Sequence, residues 1–214
     1  ASVGGATISA SDPATDTNAT LGTQWANSTS GEYFVCTDAT TDENVWTNIG
    51  EGTGNIEPYS FQGTVSGYSS GGHSGGYHNE IEKFSFTSDG DATDVGDLTV
   101  SMAYVAGQSS PTHGYNSCGT TGSNQDVIDK FSFSSDGDAT DVGNATVARE
   151  LVGGQSSTTH GYACGGHDGG YSNVIDKYSL SSDGDATDVG NLTVTRYAIA
   201  GQSSTTHGYS SGGY

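Results

Sequence analysis

The sequence has little positive charge: five Lys and Arg residues stand against 25 Asp and Glu residues, and the formal net charge is −20. A charge of this sign opposes binding to nucleic acid or to an anionic membrane surface. The chain also lacks an apolar run near the roughly 20 residues that a membrane-spanning helix needs. We therefore predict no nucleic-acid partner and no insertion into a membrane.

Short catalytic motifs are missing as well. The sequence contains no phosphate-binding loop, no H-E-x-x-H and no C-x-x-C. The letters G-x-S-x-G occur at residues 67–71, 72–76 and 208–212, but nothing indicates the helix that follows the serine in a nucleophile elbow. Ser and His are abundant, so a chance grouping of Ser, His and Asp carries little information. We predict that the chain is not an enzyme and that it requires no cofactor.

What the chain has instead is a repeat of 47 residues. The pairs Gly67-Tyr68, Gly114-Tyr115, Gly161-Tyr162 and Gly208-Tyr209 open successive copies. Residues 114–160 and 161–207 are identical at 30 of 47 positions. The small content of large aliphatic residues would by itself indicate disorder. Because apolar and aromatic residues return at a fixed phase, and because the period is that of a propeller blade, we predict a folded β-repeat.

Each repeat divides into four short strands, here called a to d. In the last copies we predict strand a at residues 197–204, strand b at 207–213, strand c at 174–181 and strand d at 186–195. Asp183-Gly184 begins the turn between strands c and d, since Asp-Gly favours tight hairpins. Nothing indicates a helix. Four strands with glycine-rich turns predict an antiparallel blade in an all-β fold.

The region before the repeats differs from them. Residues 1–20 have no periodicity and predict a flexible arm or a docking arm, whereas residues 21–58 predict a β-hairpin module of about three strands. Residues 59–214 form the repeat region. Strands in 31–50 resemble c and d, and residues 197–214 supply only a and b. Joined, they would close a propeller of about four blades. The alternative is an open array of blades completed by other subunits.

The repeats resemble kelch repeats at several positions. A double glycine follows strand b, as in Gly165-Gly166, an aromatic residue ends the core of strand c, as in Ile175-Asp-Lys-Tyr, and an Arg precedes the next strand a, as at Arg196. The resemblance implies an antiparallel β-propeller. Three departures weaken it: Cys118-Gly119 replaces one double glycine, Met102 stands where the Arg is expected, and the kelch Trp is absent from strand d.

Acidic clusters recur in the turn between strands c and d. Three carboxylates within six residues could supply oxygen ligands to calcium, although the spacing is not that of an EF-hand. The preferred interpretation is a hairpin turn in which Asp binds its own backbone, and a weak Ca²⁺ site is the alternative. The candidate metal ligands are Asp89, Asp91, Asp94, Asp136, Asp138, Asp141, Asp183, Asp185 and Asp188.

Every basic residue also has a repeated position, which favours ion pairs between blades and the acidic turns over a substrate site. The histidines His113, His160 and His207 recur in Thr-His-Gly-Tyr, where capping of a turn is preferred and a zinc-binding ring is the alternative. For Cys118 and Cys164, free buried thiols are preferred over a disulfide, because their phases differ by one residue. The Gly-Tyr tyrosines are assigned equally to packing between blades and to surface recognition.

Specific function is expected where the period fails, chiefly in loops 116–126 and 163–173 and in the first 58 residues. Tyr, Ser, Gly and Asn suit polar recognition, including recognition of sugars. The candidate ligand-binding residues are Tyr77, Tyr171, His73, His167, Asn124 and Asp168.

The chain is also similar to structural proteins of tailed bacteriophages, especially marine ones. The resemblance lies in the segment GTQWANSTSGEYFVCTDATTDENVWTNIGEG and in the SSDGDATDVGNLT repeats. It implies a fibre, spike or capsid-decorating protein at the virion surface. Its partners would be other virion proteins or copies of itself, and a host-surface glycan or protein. The alternatives are a secreted kelch-like or lectin-like protein of an extracellular assembly and, less favoured, a propeller enzyme.

Overall fold

The computed structural model describes residues 5–50, 63–204 and 206–214. The chain divides into two compact units, Ala1–Ser60 and Phe61–Tyr214. The described residues form 17 β-strands and no helix. The prediction of an all-β fold is therefore confirmed.

The N-terminal unit is one four-stranded sheet in the order β1-β2-β3-β4. Its strands are β1 (Thr7–Ser9), β2 (Gln24–Asn27), β3 (Tyr33–Asp38) and β4 (Val45–Asn48). The predicted β-hairpin module of about three strands is present, since β2–β3 and β3–β4 both pair antiparallel. Phe34, Cys36 and Trp46 form the core of the unit, and the Trp25 ring lies edge-on to Trp46 at 5.9 Å between centroids.

Part of the segment 1–20, predicted as a flexible arm or a docking arm, is docked on the N-terminal sheet. Thr7–Ser9 forms the edge strand β1, parallel to β2. Farther along, the Asn44 amide donates to Asn18 Oδ1 at 3.0 Å, and Asn44 Oδ1 accepts the Ala19 N–H at 3.1 Å. These are backbone and amide contacts made by small polar residues, so hydrophobic periodicity gave no sign of them.

The predicted composite blade depends on an open edge of the strand at residues 33–38. It required the strand at 33–38 to pair with the last strand of the chain. In the structure β3 is hydrogen-bonded to β2 on one edge and to β4 on the other. A strand has only two edges, and both edges of β3 are occupied within its own sheet.

The described residues of the C-terminal unit, Phe61–Tyr214, form three sheets and a hairpin. Repeat sheet 1 comprises β5 (Ser66–His73), β6 (Tyr77–Ser85) and β7 (Thr93–Asp97). Repeat sheet 2 comprises β8 (Ala106–Ser109), β9 (His113–Thr120), β10 (Asn124–Ser132) and β11 (Thr140–Asn144). Repeat sheet 3 comprises β12 (Gly153–Ser156), β13 (His160–Cys164), β14 (Val174–Ser179) and β15 (Thr187–Asn191). The C-terminal hairpin comprises β16 (Ala200–Ser203) and β17 (Gly208–Ser211).

The strands follow the predicted order a, b, c, d, and neighbours pair antiparallel. Both complete sheets have four strands. Strand a of the first repeat would fall on residues 59–62, which lie outside the described residues. The connection between strands c and d is longer than the tight hairpin that Asp183-Gly184 predicted, since β14 ends at Ser179 and β15 begins at Thr187.

The hydrophobic core lies between consecutive sheets. Ile81, Leu98 and Met102 of the first repeat pack with Val127 and Phe131 of the second. Glycines let the sheets approach closely: a Cβ on Gly143 would collide with the Gly184 carbonyl of the next repeat. Small residues and aromatic rings thus take the place of the aliphatic residues that the chain lacks.

A second connection between repeats runs through the residue two positions before the observed strand a. Tyr104, Leu151 and Ala198 occupy this position, and all three have a left-handed backbone with φ of 54–58°. The Ala198 N–H donates to the Leu151 carbonyl at 2.9 Å, and the Leu151 N–H donates to the Tyr104 carbonyl at 3.1 Å. Closure of the sheets into a ring and the number of blades stay predictions.

Candidate functional site

The candidate site is the row of loops between strands b and c, called here the bc-loop row. It comprises residues 74–76, 121–123 and 165–173. The glycine pair at its start has a defined backbone role, since the Gly166 N–H donates to the Arg196 carbonyl at 2.9 Å and Gly119 makes the equivalent bond to Arg149 at 2.8 Å. Cys118 keeps the left-handed backbone of the glycine it replaces, with φ of 60°. The departure from Gly-Gly therefore preserves the course of the loop.

The six predicted ligand-binding residues fall into two groups. In the first repeat, the His73 and Tyr77 rings contact edge to face at 5.2 Å. In the last complete repeat, His167 Nδ1 lies 3.7 Å from Glu150, and the His167 carbonyl accepts the Asn124 side-chain amide at 2.8 Å. Asn124, the first residue of strand c in one repeat, thus contacts the loop of the next repeat.

Two more of the predicted residues belong to the second group. Asp168 Oδ1 accepts the Gly170 N–H at 3.1 Å and shapes the loop. Tyr171 is 57% exposed, and its ring lies 5.0 Å from that of Tyr197. The structure therefore unites Asn124, His167 and Tyr171 around the last loop, and Asp168 supports it.

Sequence reasoning missed two members of this group. The Tyr197 ring lies 5.9 Å from His167 and 5.7 Å from Tyr214, and Tyr214 is 80% exposed. Backbone bonds between Tyr197 and Tyr214 hold the two residues side by side. We call His167, Tyr171, Tyr197 and Tyr214 the aromatic group. A signal was available, because Tyr197 breaks the repeat at a position where the earlier copies have Ala103 and Glu150.

Two of the three repeated lysines, Lys83 and Lys130, serve the interfaces between repeats, as predicted. Lys83 Nζ lies 3.0 Å from Asp136, and Lys130 pairs in the same way with Asp183 of the next repeat. The hydrogen bond from Lys83 to Asp136 raises the pKa of the lysine. The pairs are partly exposed, so solvent screens them and they contribute little to stability.

The arginines are assigned differently from the prediction, because neither one binds an acidic turn. Arg149 is fully buried and pairs with Asp176 of strand c at 2.7 Å. It also donates to the carbonyls of Ala163 and Val174, both at 3.3 Å. Arg196 donates to carbonyls of the C-terminal hairpin. Both side chains bind the sheet of the repeat that follows.

Most of the nine candidate calcium ligands accept a hydrogen bond from a backbone N–H group or from a lysine. Asp94, Asp141 and Asp188 each accept the N–H of the glycine two residues later. Asp138 and Asp185 accept the N–H at the end of strand d in the preceding repeat. Within the described part of the chain, no group of three or more His, Cys, Asp or Glu residues could hold a metal ion. Calcium binding at these turns stays a prediction.

The repeated histidines follow the turn interpretation. His113, His160 and His207 each have Nδ1 within 2.8–2.9 Å of the preceding threonine hydroxyl. Their backbone N–H groups donate to a serine hydroxyl three residues earlier. They fix the connection between strands a and b.

All three cysteines are free and buried, which confirms the preferred interpretation. Burial raises the pKa of the Cys118 and Cys164 thiols to about 11. These thiols are protonated at neutral pH and are poor nucleophiles.

The Gly-Tyr tyrosines mainly pack between sheets. The Tyr68 ring stacks on Phe133 of the next repeat at 4.8 Å, and the Tyr115 hydroxyl donates to the Leu180 carbonyl at 3.0 Å. Tyr209, which has no following sheet within the described residues, is 54% exposed. Exposure of this position thus depends on whether a neighbour covers it.

Among the described residues, no helix has the length and apolar character to cross a membrane. Comparison with protein-family models and with curated proteins finds no match to this chain. The kelch and virion resemblances therefore stay predictions that rest on the residues quoted for them. The candidate site rests on the geometry of the bc-loop row.

Proposed function

We propose that the chain is a non-enzymatic structural and adhesion protein of a virion surface, in which kelch-like blades present the bc-loop row to host glycans. The observation that carries the proposal is the aromatic group, which gathers His167 and three tyrosines at one exposed place. Such a group breaks the repeat symmetry, whereas the other polar residues of the repeats follow it.

The use of the repeated residues supports a structural role for the rest of the surface. Lys83 and Lys130 bind acidic turns, Arg149 binds a buried carboxylate, and the histidines bind adjacent hydroxyls. Groups that are engaged in the same contacts in each copy suit a scaffold. A scaffold of near-identical units displays many equal surfaces, and multivalency then raises the avidity of weak contacts.

The chemistry of the aromatic group favours a neutral sugar. Tyrosine rings offer flat apolar faces together with a polar hydroxyl, and nearby Asn124, Glu150 and Asp168 supply amide and carboxylate groups. The formal net charge of −20 disfavours anionic glycans. We therefore assign neutral oligosaccharides as the ligand class.

A printed array of neutral and acidic oligosaccharides tests this assignment, followed by calorimetric titration with the best-bound neutral sugar. Tyr171→Ala removes the most exposed ring of the bc loop. We expect its affinity to fall about 3- to 10-fold, because an aromatic contact contributes about 0.5–1.5 kcal/mol.

Tyr104→Ala is the matched control, since Tyr104 is 52% exposed and lies outside the aromatic group. It should leave the affinity unchanged. Equal losses in both variants, or no binding of any neutral sugar by the wild type, would remove the adhesion role. Copurification of the chain with virus particles separates a virion component from a secreted lectin-like protein.

A further inference from the structure

A serine, a histidine and a glutamate are hydrogen-bonded in sequence at the bc loop of the first repeat. The Ser74 hydroxyl lies 2.6 Å from His78 Nε2, and His78 Nδ1 lies 3.2 Å from Glu80 Oε2. With its proton on Nδ1, the imidazole ring donates to the carboxylate and accepts the serine O–H. Nucleophile, base and orienting carboxylate stand in this same order in acyl-transfer enzymes of several unrelated folds.

The fold fixes the positions of the histidine and the glutamate. His78 and Glu80 are two residues apart on β6, so both side chains project from the same face of the sheet. The His78 carbonyl accepts the Met102 N–H at 2.8 Å, and the Asn79 N–H donates to Glu80 Oε2 at 3.2 Å. Hydrogen bonds from its own backbone N–H group and from His78 lower the pKa of Glu80, which keeps the carboxylate ionised at neutral pH.

The three residues break the repeat. The equivalent positions are Thr121, Gln125 and Val127 in the second copy and Asp168, Ser172 and Val174 in the third. In the second copy, Gln125 Nε2 donates to the Thr121 hydroxyl at 3.3 Å. A side-chain bond at this place therefore recurs, but the second copy supplies neither a base nor a carboxylate. The repeated scaffold does not need this set, which points to a specific function of the first copy.

The loop that carries Ser74 is open and offers two backbone donors. Ser74 is the serine of the G-x-S-x-G letters at residues 72–76, and a Cβ on Gly75 or Gly76 would meet no atom within 4 Å. In the described part of the chain, the N–H groups of Gly75 and Gly76 donate to no acceptor. These amides are available to the oxygen of a carbonyl group that reacts with Ser74. The glycines also offer no apolar side chain to hold a long acyl chain.

We propose that Ser74, His78 and Glu80 form a hydrolytic site for carboxylic esters with a small acyl group. Ser74 Oγ attacks the carbonyl carbon while its proton passes to His78 Nε2, and the Gly75 and Gly76 amides bind the oxyanion that forms. The bond from the carbon to the alkoxy oxygen then breaks, and His78 gives its proton to the leaving alcohol. Water releases the acid from acyl-Ser74 by the same steps, with His78 as the base. Glu80 is the positioning residue, since it orients the imidazole ring without touching the ester.

This activity goes beyond the adhesion role proposed above and does not rest on it. The three residues lie at the first bc loop, whereas the aromatic group lies at the last one. A chain with both sites holds a surface at one loop and cleaves an ester at another. Such a chain keeps its scaffold and adhesion roles, and only the expectation that it has no enzymatic activity is replaced.

A fluorophosphonate probe tests the nucleophile. Attack by Ser74 Oγ forms an O–P bond and releases fluoride, so peptide mass spectrometry of the wild type should find the phosphonyl group on Ser74. Ser74→Ala should lose the label, and His78→Gln should slow labelling at least about tenfold, because the serine then lacks its base. A wild type without label on Ser74, or with label spread evenly over its exposed serines, overturns the proposal.

Hydrolysis of para-nitrophenyl acetate measures turnover. The rate above that of buffer should fall at least about tenfold in Ser74→Ala and in His78→Gln. Glu80→Gln should lower kcat and leave KM unchanged, because Glu80 orients the base and does not bind the ester. Urea unfolding of each variant should give the wild-type midpoint, which separates loss of chemistry from loss of fold.

His160→Gln is the matched control for His78→Gln. His160 Nδ1 also lies 2.8 Å from a threonine hydroxyl, but the ring has no carboxylate partner among the described residues. The His160→Gln rate should equal that of the wild type. Equal losses in the two histidine variants, or a wild-type rate in Ser74→Ala, overturn the proposal. Hydrolysis and sugar binding are measured separately, so failure of one role leaves the other to its own test.

Discussion

At the scale of single residues, two equivalent carboxylates have different surroundings. Asp176 and Asp129 are both fully buried, and each accepts hydrogen bonds from a threonine of the preceding repeat. Asp176 also pairs with Arg149, but Met102 occupies the equivalent place for Asp129. Burial raises the pKa of Asp129 because no arginine compensates its charge.

The same substitution should therefore have opposite effects at the two sites. Asp176→Asn leaves Arg149 buried without its partner, and we expect a loss of about 3–5 kcal/mol in unfolding free energy at pH 7. Asp129→Asn removes a buried charge. Since the pKa of Asp129 is higher in the folded state, wild-type protein loses stability relative to Asp129→Asn as the pH rises from about 4 towards 7.

Urea unfolding of both variants between these pH values provides the measurement. Met102→Arg should reduce the pH-dependent difference between Asp129 and Asn, because it supplies the missing guanidinium. Equal destabilisation by both Asp→Asn changes at pH 7, with no dependence on pH, would contradict this account of the pair.

For the repeated charged residues and histidines, the sequence predicted a structural role, but it did not predict which partner each residue binds. Repetition of Lys, Arg, Asp and His at fixed phases indicated structural contacts, and the lysine pairs confirm it. It could not show that Arg149 binds Asp176 of strand c, because that choice depends on how neighbouring sheets stack. The break of the repeat at Tyr197 was an available signal, whereas the contact of Tyr214 with Tyr197 arises only through folding.

At the scale of elements, glycine decides how closely strands b and c pack. The Tyr178 ring lies over Gly161, and a Cβ there would collide with it. We expect Gly161→Ala to lower the unfolding free energy by about 1–3 kcal/mol through overpacking.

Gly107→Ala is the matched control for this prediction. A Cβ at Gly107 meets nothing within 4 Å, so the substitution should be neutral or slightly stabilising. Urea unfolding of the two variants gives the comparison. A similar loss of stability in both would show that strand propensity, rather than ring packing, determines the effect.

The repeat sheets were largely predictable, whereas the N-terminal unit was predicted only in part. Strands recur with the period, so four copies reinforce the same boundaries. By contrast, β1 has three residues and pairs in parallel, which leaves no alternation to detect. The similarity of residues 31–50 to strands c and d did not reveal that β3 has partners on both edges within its own sheet.

At the scale of the whole C-terminal unit, Phe61–Tyr214, stability is expected to depend on contacts between neighbouring repeats. The core clusters are shared between consecutive sheets, and the acidic turn of one repeat docks on strand d of the repeat before it. Proteins of this kind behave as one-dimensional arrays in which each unit depends on its neighbours. Identical sequences in different copies should then differ in protection according to whether a neighbour is present.

Amide hydrogen exchange by NMR, at a concentration where the chain is monomeric, tests this central claim most directly. The Asp-Gly-Asp-Ala-Thr turn occurs three times, at residues 89–93, 136–140 and 183–187. We predict slow exchange at Gly137, Ala139, Gly184 and Ala186, which donate to the preceding repeat, and fast exchange at Gly90 and Ala92. Equal exchange in all three turns would contradict the account.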